Sequence, residues 1–411
     1  MLLSRWIPLA AALLGLALSP VPLRADESSA GAVPTGTQPR TASPTDGLDP
    51  TTVDPGGEQG HGQLGLRIGY YDADDSGDGN PFVDESLTVV EPVILFSTNV
   101  TDRSTLWGKF SYDDVSSASI ERLSNYATQS GASGDDYFGL DLGWKRKLQS
   151  GDRFGLFGHF SSEYDYQSIG LGGDYSFDLA NKNATVQASL SGFLDSIDVI
   201  RSDGRNDGSD DRLSLASTVT WTQIMSPRTH GTLGVTVGHQ DGFLETPYNP
   251  VVIEDSSTPI ATLENARGTQ VDEELPDTRT RVAIFGRSRT SLSERTAVEL
   301  GGRIYSDTWG ISSITIEPRF YFWWVPEKLR TRVRYRFYVQ TEADDYSEHF
   351  YVLTSERTQD SDLAAFDSHT VGIQLVWSPT TALSFDISGD YVLRSDGLDQ
   401  IIASIGWLWN F

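Results

Sequence analysis

The stretch Arg330–Val339 reads RTRVRYRFYV and places arginine at every second position from 330 to 336. The intervening positions include Val333, Tyr335 and Phe337, which are apolar or aromatic. An alternation with a period of two predicts a β-strand with a basic face and an apolar face. A strand of this kind is typical of a barrel wall that separates lipid from a polar interior.

The same alternation continues from residue 62 to the C-terminus, for example in 138–144 and 314–322. We predict an all-β fold, a transmembrane antiparallel up-and-down β-barrel of about 16 strands. The range is about 14 to 18 strands, because the pattern sets strand limits only to within a few residues. The predicted strand centres are residues 67, 92, 109, 142, 158, 172, 190, 218, 236, 283, 300, 318, 336, 373, 388 and 406.

Short turns and longer acidic segments alternate between these strands, which is typical of outer-membrane barrels. We therefore expect the outer membrane of a Gram-negative bacterium, with the N-terminal tail and the C-terminus in the periplasm. The predicted long loops are 72–85, 114–134, 195–211, 241–277 and 341–365.

The first 60 residues differ from the rest of the chain. Residues 1–25 contain an arginine, a short apolar run and a small residue at position 25, which predicts a signal peptide. Residues 26–60 are rich in Ser, Thr, Pro and Gly and are expected to form a disordered periplasmic tail before a barrel of residues 61–411. The formal net charge of −26 argues against nucleic acid as a partner, and the lack of cysteine excludes thiol-bound cofactors.

The C-terminal residues Trp407, Trp409 and Phe411 share one strand face. They resemble the terminal signal that the barrel assembly machinery recognises. Tryptophans near the short turns predict an aromatic girdle in contact with outer-membrane lipids. These residues are Trp107, Trp144, Trp221, Trp323, Trp324, Trp377, Trp407 and Trp409.

Several segments, including SDTWG at Ser306–Gly310 and RYRFY at Arg334–Tyr338, resemble a bacterial family of predicted outer-membrane proteins catalogued only as a domain of unknown function. The resemblance covers roughly residues 62–411. It implies an envelope protein whose gene often lies beside those for a flavin-attaching transferase, a thioredoxin-like protein and a small lipoprotein. It implies no catalytic residues.

Charged residues on the inward faces of the predicted strands are candidates for lining a pore. They either select anionic solutes or form a salt-bridge network that fills the barrel. These candidates are Arg330, Arg332, Arg334, Arg336, Glu317, Arg319, Glu299, Arg303, Asp141, Lys145, Lys147, Asp386 and Asp390.

A second candidate site is the acidic segment that ends at Glu85. Its oxygen-bearing residues have the spacing of a calcium loop, although an acidic hairpin at a barrel rim requires no metal. The candidate ligands are Asp74, Ser76, Asp78, Asn80 and Glu85. No other cofactor is expected.

The sequence thus predicts a porin-like channel for small, anionic solutes. The alternative is a non-conducting structural or docking barrel of an envelope complex, with a periplasmic redox or flavinylated partner or a lipoprotein partner. No spacing diagnostic of an outer-membrane lipase or protease is found, so we expect no enzymatic activity.

Overall fold

A computed structural model describes residues 55, 57–75, 86–117, 135–254 and 268–411. The predicted signal peptide and nearly all of the predicted tail lie outside the described residues. In this described part of the chain, no helix is long and apolar enough to cross a membrane.

Within the described residues, sixteen long antiparallel strands form one sheet. They are β1 Gly62–Asp75, β2 Leu87–Thr101, β3 Ser104–Ser117, β4 Asp135–Lys147, β5 Arg153–Ser162, β6 Tyr166–Leu179, β7 Ala184–Ile200, β8 Asn206–Ser226, β9 Thr229–Gly242, β12 Thr278–Ser291, β13 Thr296–Asp307, β14 Ser312–Val325, β15 Leu329–Gln340, β16 Phe366–Trp377, β17 Leu383–Arg394 and β18 Leu398–Asn410. Two short strands, β10 Pro250–Glu254 and β11 Gly268–Asp272, form a separate two-stranded sheet.

The sheet closes because β1 pairs with both β2 and β18. Every other barrel strand pairs with its neighbours along the chain, except that β9 pairs with β12 past the β10–β11 hairpin. Closure leaves no open sheet edge, so each strand forms backbone hydrogen bonds with a neighbour on both sides within the wall. The predicted fold class and the sixteen predicted strands are confirmed.

The outer face of the wall is apolar. Leu171 is 73% exposed and Val371 is 60% exposed, and similar side chains project from nearly every barrel strand. Exposed apolar surface of this extent is unfavourable in water and is the surface that a lipid environment requires.

We name the two ends of the barrel from their connections. The turn end carries Gly62, Asn410 and the short turn 102–103. The loop end carries the described segments 243–254, 268–277 and 341–365. The predicted loops 72–85 and 114–134 lie largely outside the described residues.

The predicted loop 195–211 was wrong in large part. β7 continues to Ile200 and β8 begins at Asn206, so only five residues connect them. The polar sequence NDGSDD does not indicate a strand. The hairpin extends past the apolar band, where both faces meet water and no alternation is needed.

The aromatic girdle prediction was wrong for two residues. Trp107 faces the interior and is 3% exposed, and Trp323 lies on the inward face of β14. Trp107 lies over Gly143, the position at which a side chain would collide with its ring. Trp377 and Trp409 project outward, as predicted.

Candidate functional site: an arginine-rich interior beneath a folded cap

All thirteen predicted pore-lining residues lie on the inward faces of their strands. Arg332, Arg334 and Arg319 are 3–5% exposed, and Glu299 is 3% exposed. Lys147 is half-buried at the turn end of β4. The alternation of burial along β14 and β15 places these side chains opposite the lipid face. That they line a conducting pore stays a prediction.

The ion pair of Arg334 spans an intervening strand. Arg334 on β15 donates from Nε to Asp390 Oδ1 on β17 at 2.7 Å. Gly372 on β16 lies between them, and a Cβ atom at this position would be 1.6 Å from Asp390 Oδ1. The missing side chain therefore makes room for the pair.

Two further cations follow the same arrangement. Arg67 on β1 donates to Asp386 on β17 at 2.8 Å across Gly406 of β18. Lys145 on β4 lies 3.7 Å from Asp174 on β6. The residue between this last pair is Gly155 of β5, whose Cβ atom would meet Asp174.

Arg319 joins two carboxylates on the wall. Its Nε donates to Glu317 at 2.5 Å, and its Nη1 lies 3.5 Å from Glu299. Glu299 also lies 3.4 Å from Arg287 of β12. This cluster offsets the repulsion between Arg319 and Arg334, which are directly opposed across β14 and β15.

Arginines outnumber carboxylates on the inward faces of β12–β15. The ten arginines are Arg279, Arg281, Arg287, Arg289, Arg303, Arg319, Arg330, Arg332, Arg334 and Arg336. This part of the interior is strongly basic although the whole chain is acidic.

The inward faces of β12–β15 thus hold three carboxylates, Glu299, Asp307 and Glu317, against ten arginines. Among the described residues, four of these arginines form no ion pair with a carboxylate, and they are Arg281, Arg289, Arg330 and Arg336. The buried Nε atoms of Arg330 and Arg336 also have no hydrogen-bond partner in this part of the chain. Burying a guanidinium without a counter-charge is costly, so these groups favour an anion or water in the interior.

Aromatic rings hold three of these four arginines in place, and the Arg336 guanidinium lies 5.7 Å from the ring centre of Tyr338. The Arg289 guanidinium lies 4.0 Å from the ring centre of Tyr321 and 5.6 Å from that of Trp323. The Arg330 guanidinium lies 5.6 Å from the same Tyr321 ring. A guanidinium stacked on a ring is oriented by it while its N–H edges stay free to donate.

The arginines of β12 were missed by the sequence reasoning. Arg279, Arg281, Arg287 and Arg289 alternate as those of β15 do, and this spacing was the available signal. Around Arg287 and Arg289, the outward-facing positions are Gly286, Ser288 and Thr290. None of these three residues has a large apolar side chain, so the alternation of apolar and charged residues is interrupted there.

The opposite wall, β4–β9, has fewer charges and more Ser, Thr and Gly. His159 Nδ1 lies 2.7 Å from Asp141 Oδ1, so this candidate acid is bound to a neighbouring strand. Arg212 donates from Nε to Asp195 Oδ2 at 2.8 Å, and both side chains are fully buried. The basic character of the interior is therefore concentrated on one side.

A folded cap lies at the loop end. We define the first cap loop as the described residues 243–254 and 268–277, which include the paired strands β10 and β11, and the second cap loop as residues 341–365. The two loops and the β13–β14 turn share a small apolar core. Its buried members are Leu244, Leu275, Trp309, Ile311, Ala343 and Leu363.

Inward-facing residues attach the cap to the wall. Gln340 of β15 donates to the carbonyl oxygens of Asp362 and Ala364, and Arg394 of β17 donates to Asp362 Oδ1 at 2.7 Å. The Arg279 guanidinium of β12 lies 4.2 Å from the ring centre of Trp309. Three strands, β12, β15 and β17, therefore attach the cap to the barrel at the loop end.

The cap also reaches the far side of the mouth. Eight strands separate the β5–β6 turn from the second cap loop in either direction around the barrel. Tyr248 of the first cap loop is close enough to interact electrostatically with Glu163 and Asp165 of that turn, and also with Asp360 of the second cap loop. Burial, reinforced by these negative charges, raises the pKa of Tyr248. The cap thus spans the mouth at the loop end.

The remaining candidates occupy the two ends. Asp74 is exposed and pairs with Asp399 across β1 and β18, whereas Ser76, Asp78, Asn80 and Glu85 lie outside the described residues. In the described ranges, no group of three or more His, Asp or Glu side chains is arranged to hold a metal ion.

The C-terminal aromatic residues lie on the outward face of β18. Trp409 and Phe411 are each 43% exposed, and their ring centres are 5.1 Å apart. Trp407 pairs with Leu66 of β1 at the closure of the barrel. Recognition of these residues by the barrel assembly machinery stays a prediction.

A closed sixteen-stranded antiparallel barrel with an apolar exterior and a charged interior defines a protein of the outer-membrane barrel class. The chain belongs to the family described as Protein of unknown function (DUF3570), whose model matches residues 54–402. This match confirms the family resemblance found in the sequence. No curated protein matches the chain.

Several solved structures are similar in outline. A bacterial polysaccharide outer membrane secretin has a TM-score of 0.48 and 12% identity, over 85% of this chain and 98% of that chain. The CymD monoaromatic hydrocarbon channel has a TM-score of 0.40 and 10% identity, over 86% and 89% of the two chains. OpdK of Pseudomonas aeruginosa, solved with vanillate, has a TM-score of 0.41 and 8% identity, over 87% and 100%. The fold assignment rests on the strand order of this chain itself.

Proposed function

We propose that this protein is an outer-membrane channel that passes small anionic solutes. The observation that carries the proposal is the basic wall of β12–β15, where Arg281, Arg289, Arg330 and Arg336 form no ion pair with a carboxylate of the described residues. A basic interior attracts anions and repels cations, as charged rings do in selective pores. The loop end would face the exterior and the turn end the periplasm.

Selectivity for anions would follow because some interior arginines are paired with carboxylates of the wall, whereas others are left to interact with passing anions. Asp390 and Asp386 already neutralise Arg334 and Arg67, so these pairs stabilise the wall. The Nε atoms of Arg330 and Arg336 have no hydrogen-bond partner among the described residues. A passing carboxylate or phosphate group would meet their N–H donors with favourable charge-assisted hydrogen bonds.

Ion selectivity in planar bilayers tests the proposal. We expect the purified protein to show discrete conductance steps and a reversal potential that indicates anion preference in a KCl gradient. The double variant R330Q/R336Q should lose several-fold in the ratio of anion to cation permeability. The matched control R103Q/R146Q makes the same change in net charge at exposed positions outside the interior and should keep the ratio.

Cation preference in the native protein, or an unchanged ratio in R330Q/R336Q, would contradict the proposal. The cap gives the alternative, a non-conducting docking barrel, specific support because it spans the mouth at the loop end. Absence of conductance at every pH, together with a co-purifying periplasmic or lipoprotein partner, would favour that alternative.

A further inference from the structure

The two cap loops meet along a seam of backbone and side-chain contacts. Glu274 and Arg357 exchange two backbone hydrogen bonds of 2.7 and 3.1 Å. The backbone nitrogen of Glu254 donates to the Phe350 oxygen at 2.7 Å, and that of Val252 donates to Gln359 Oε1 at 2.7 Å. Each loop supplies both donors and acceptors, so separation of the loops would break the whole set.

Two buried carboxyl groups lie at this seam, one on each loop. Glu273 of the first cap loop is 1% exposed and Asp360 of the second is 9% exposed. Glu273 accepts hydrogen bonds of 2.6 Å from the Thr358 hydroxyl and from the Thr246 backbone nitrogen. Asp360 accepts one of 2.9 Å from the Asp362 backbone nitrogen.

Burial, and next the charge of Asp360, raises the pKa of Glu273 to about 8. Burial, and next the charge of Asp362, raises the pKa of Asp360 to about 7. Burial also raises the pKa of Asp362, while Arg394 opposes the shift. The seam therefore favours a protonated carboxyl.

Other charged and titratable groups surround the pair. They are Glu245, Tyr248, Glu254 and Glu274 on the first cap loop, His349, Arg357 and Asp362 on the second, Arg279 and Arg394 on the wall, and Glu163 and Asp165 on the β5–β6 turn. The cations among them bind other acids, since Arg394 bonds to Asp362, Arg279 to Asp307 and Arg357 to Glu274.

We infer that the seam is a proton-dependent latch, which holds the cap closed while the Glu273–Asp360 pair carries a proton and releases it when both carboxyls are ionised. When both carboxyls are ionised, two negative charges lie buried at the seam and repel each other. The two cap loops are anchored at separate places on the barrel rim, so this repulsion favours their separation. Opening hydrates both groups and exposes the basic interior. The latch deepens the proposed channel, but opening of the seam does not depend on conduction.

The direction of the pH effect follows from the shifted groups. In the closed seam, the pKa values of Glu273 and Asp360 lie above their ordinary values of 4.5 and 3.8. The closed seam is therefore most stable below those values and loses stability as the pH rises to about 8. Each coupled proton changes the ratio of open to closed cap by at most about tenfold per pH unit within this window.

Hydrogen exchange measured by mass spectrometry tests the latch on the full-length barrel in detergent. After correction for the intrinsic pH dependence of exchange, the segments that contain Glu254, Glu274 and Arg357 should exchange at least about tenfold faster at pH 8.5 than at pH 6. Glu273→Gln should reduce this acceleration, because only Asp360 of the pair can then still ionise. Glu294→Gln, at an exposed turn position, should retain it.

The same pH dependence in the native protein and in Glu273→Gln would overturn the inference, as would exchange that does not accelerate in the native protein. Asp360→Asn provides a second test if Glu273→Gln does not fold. Neither result depends on the channel proposal, since exchange reports the seam alone.

Coupling to the channel is tested separately by a disulfide. The chain has no cysteine, so E274C/R357C creates one possible bridge. These two residues form a hydrogen-bonded antiparallel pair, for which Cα atoms lie about 5.5 Å apart, within the range for a disulfide. The oxidised variant should show no pH-dependent rise in conductance, and reduction should restore it. A rise that persists in the oxidised variant would contradict opening at the seam.

Discussion

Arg334 and Asp390 form an ion pair of 2.7 Å that passes over the strand between them. The pair is possible because Gly372 has no side chain on the inner face of β16. Arg67 and Asp386 use Gly406 in the same manner. The wall thus neutralises Arg334 and Arg67 with carboxylates that lie two strands away. The arginines that have no such partner give the interior its basic character.

Removal of one partner should destabilise the barrel. Asp390→Ala leaves Arg334 buried without its carboxylate, and the expected loss is about 3–5 kcal/mol of unfolding free energy. Urea unfolding in detergent micelles, followed by tryptophan fluorescence, measures the loss. Asp203→Ala, at an exposed position of the β7–β8 hairpin, should change the stability by less than about 0.5 kcal/mol. Equal stability of the two variants would show that the ion pair contributes little.

The intervening glycine should be as sensitive as the acid. In Gly372→Ala, the new methyl group would occupy the position of Asp390 Oδ1, so the ion pair must break or the strand must move. We expect a lower thermal unfolding temperature in the same micelles. Gly389→Ala is the matched control, because a Cβ atom there has no neighbour within 4 Å. A similar unfolding temperature in both variants would contradict the crossing geometry.

The cap core should be separable from the barrel. Trp309 is 5% exposed and its Nε1 donates to the Thr278 oxygen at 3.0 Å. Trp309→Ala should cost about 3–5 kcal/mol, most of it in the local stability of the cap. Limited proteolysis should cleave the cap loops faster while the barrel strands stay protected. Loss of barrel protection at the same rate would show that cap and barrel unfold as one unit.

Tryptic cleavage after Arg357 should become faster as the pH rises, because the seam opens when its carboxyl groups ionise. Arg357 is 8% exposed, so cleavage requires the cap to open. Because burial raises the pKa of Glu273 to about 8, the open population should grow as the pH rises from 6 to 8.5. A short reference peptide corrects for the pH dependence of trypsin. Glu273→Gln should give a corrected rate that rises less with pH, because only Asp360 can still ionise, and a rate that rises equally in this variant would refute the expectation.

The calcium loop stays a prediction that can be tested directly. Titration of the purified protein with calcium, followed by calorimetry, should show binding that the double variant D78N/E85Q loses, because both substitutions remove charged oxygen ligands. The variant D203N/D210N removes two acids elsewhere and should bind as the native protein does. Native binding that survives in D78N/E85Q would place calcium at another site.

The sequence by itself determined the barrel. A period of two fixes which side chains face lipid and which face the interior, so the strand number and the inward position of Arg330–Arg336 could be predicted from local order. The strand limits of β7 and β8 could not, because the hairpin beyond the lipid band needs no apolar face.

Only the tertiary structure decided which charges are neutralised and what covers the mouth. The partner of Arg334 depends on the register of three strands and on Gly372 between them, which no single strand specifies. Glu273 and Asp360 are 87 positions apart in the chain and appear in it as two ordinary acids. Their shared burial arises from the packing of two loops, because desolvation and repulsion depend on distance in space and not on distance in sequence.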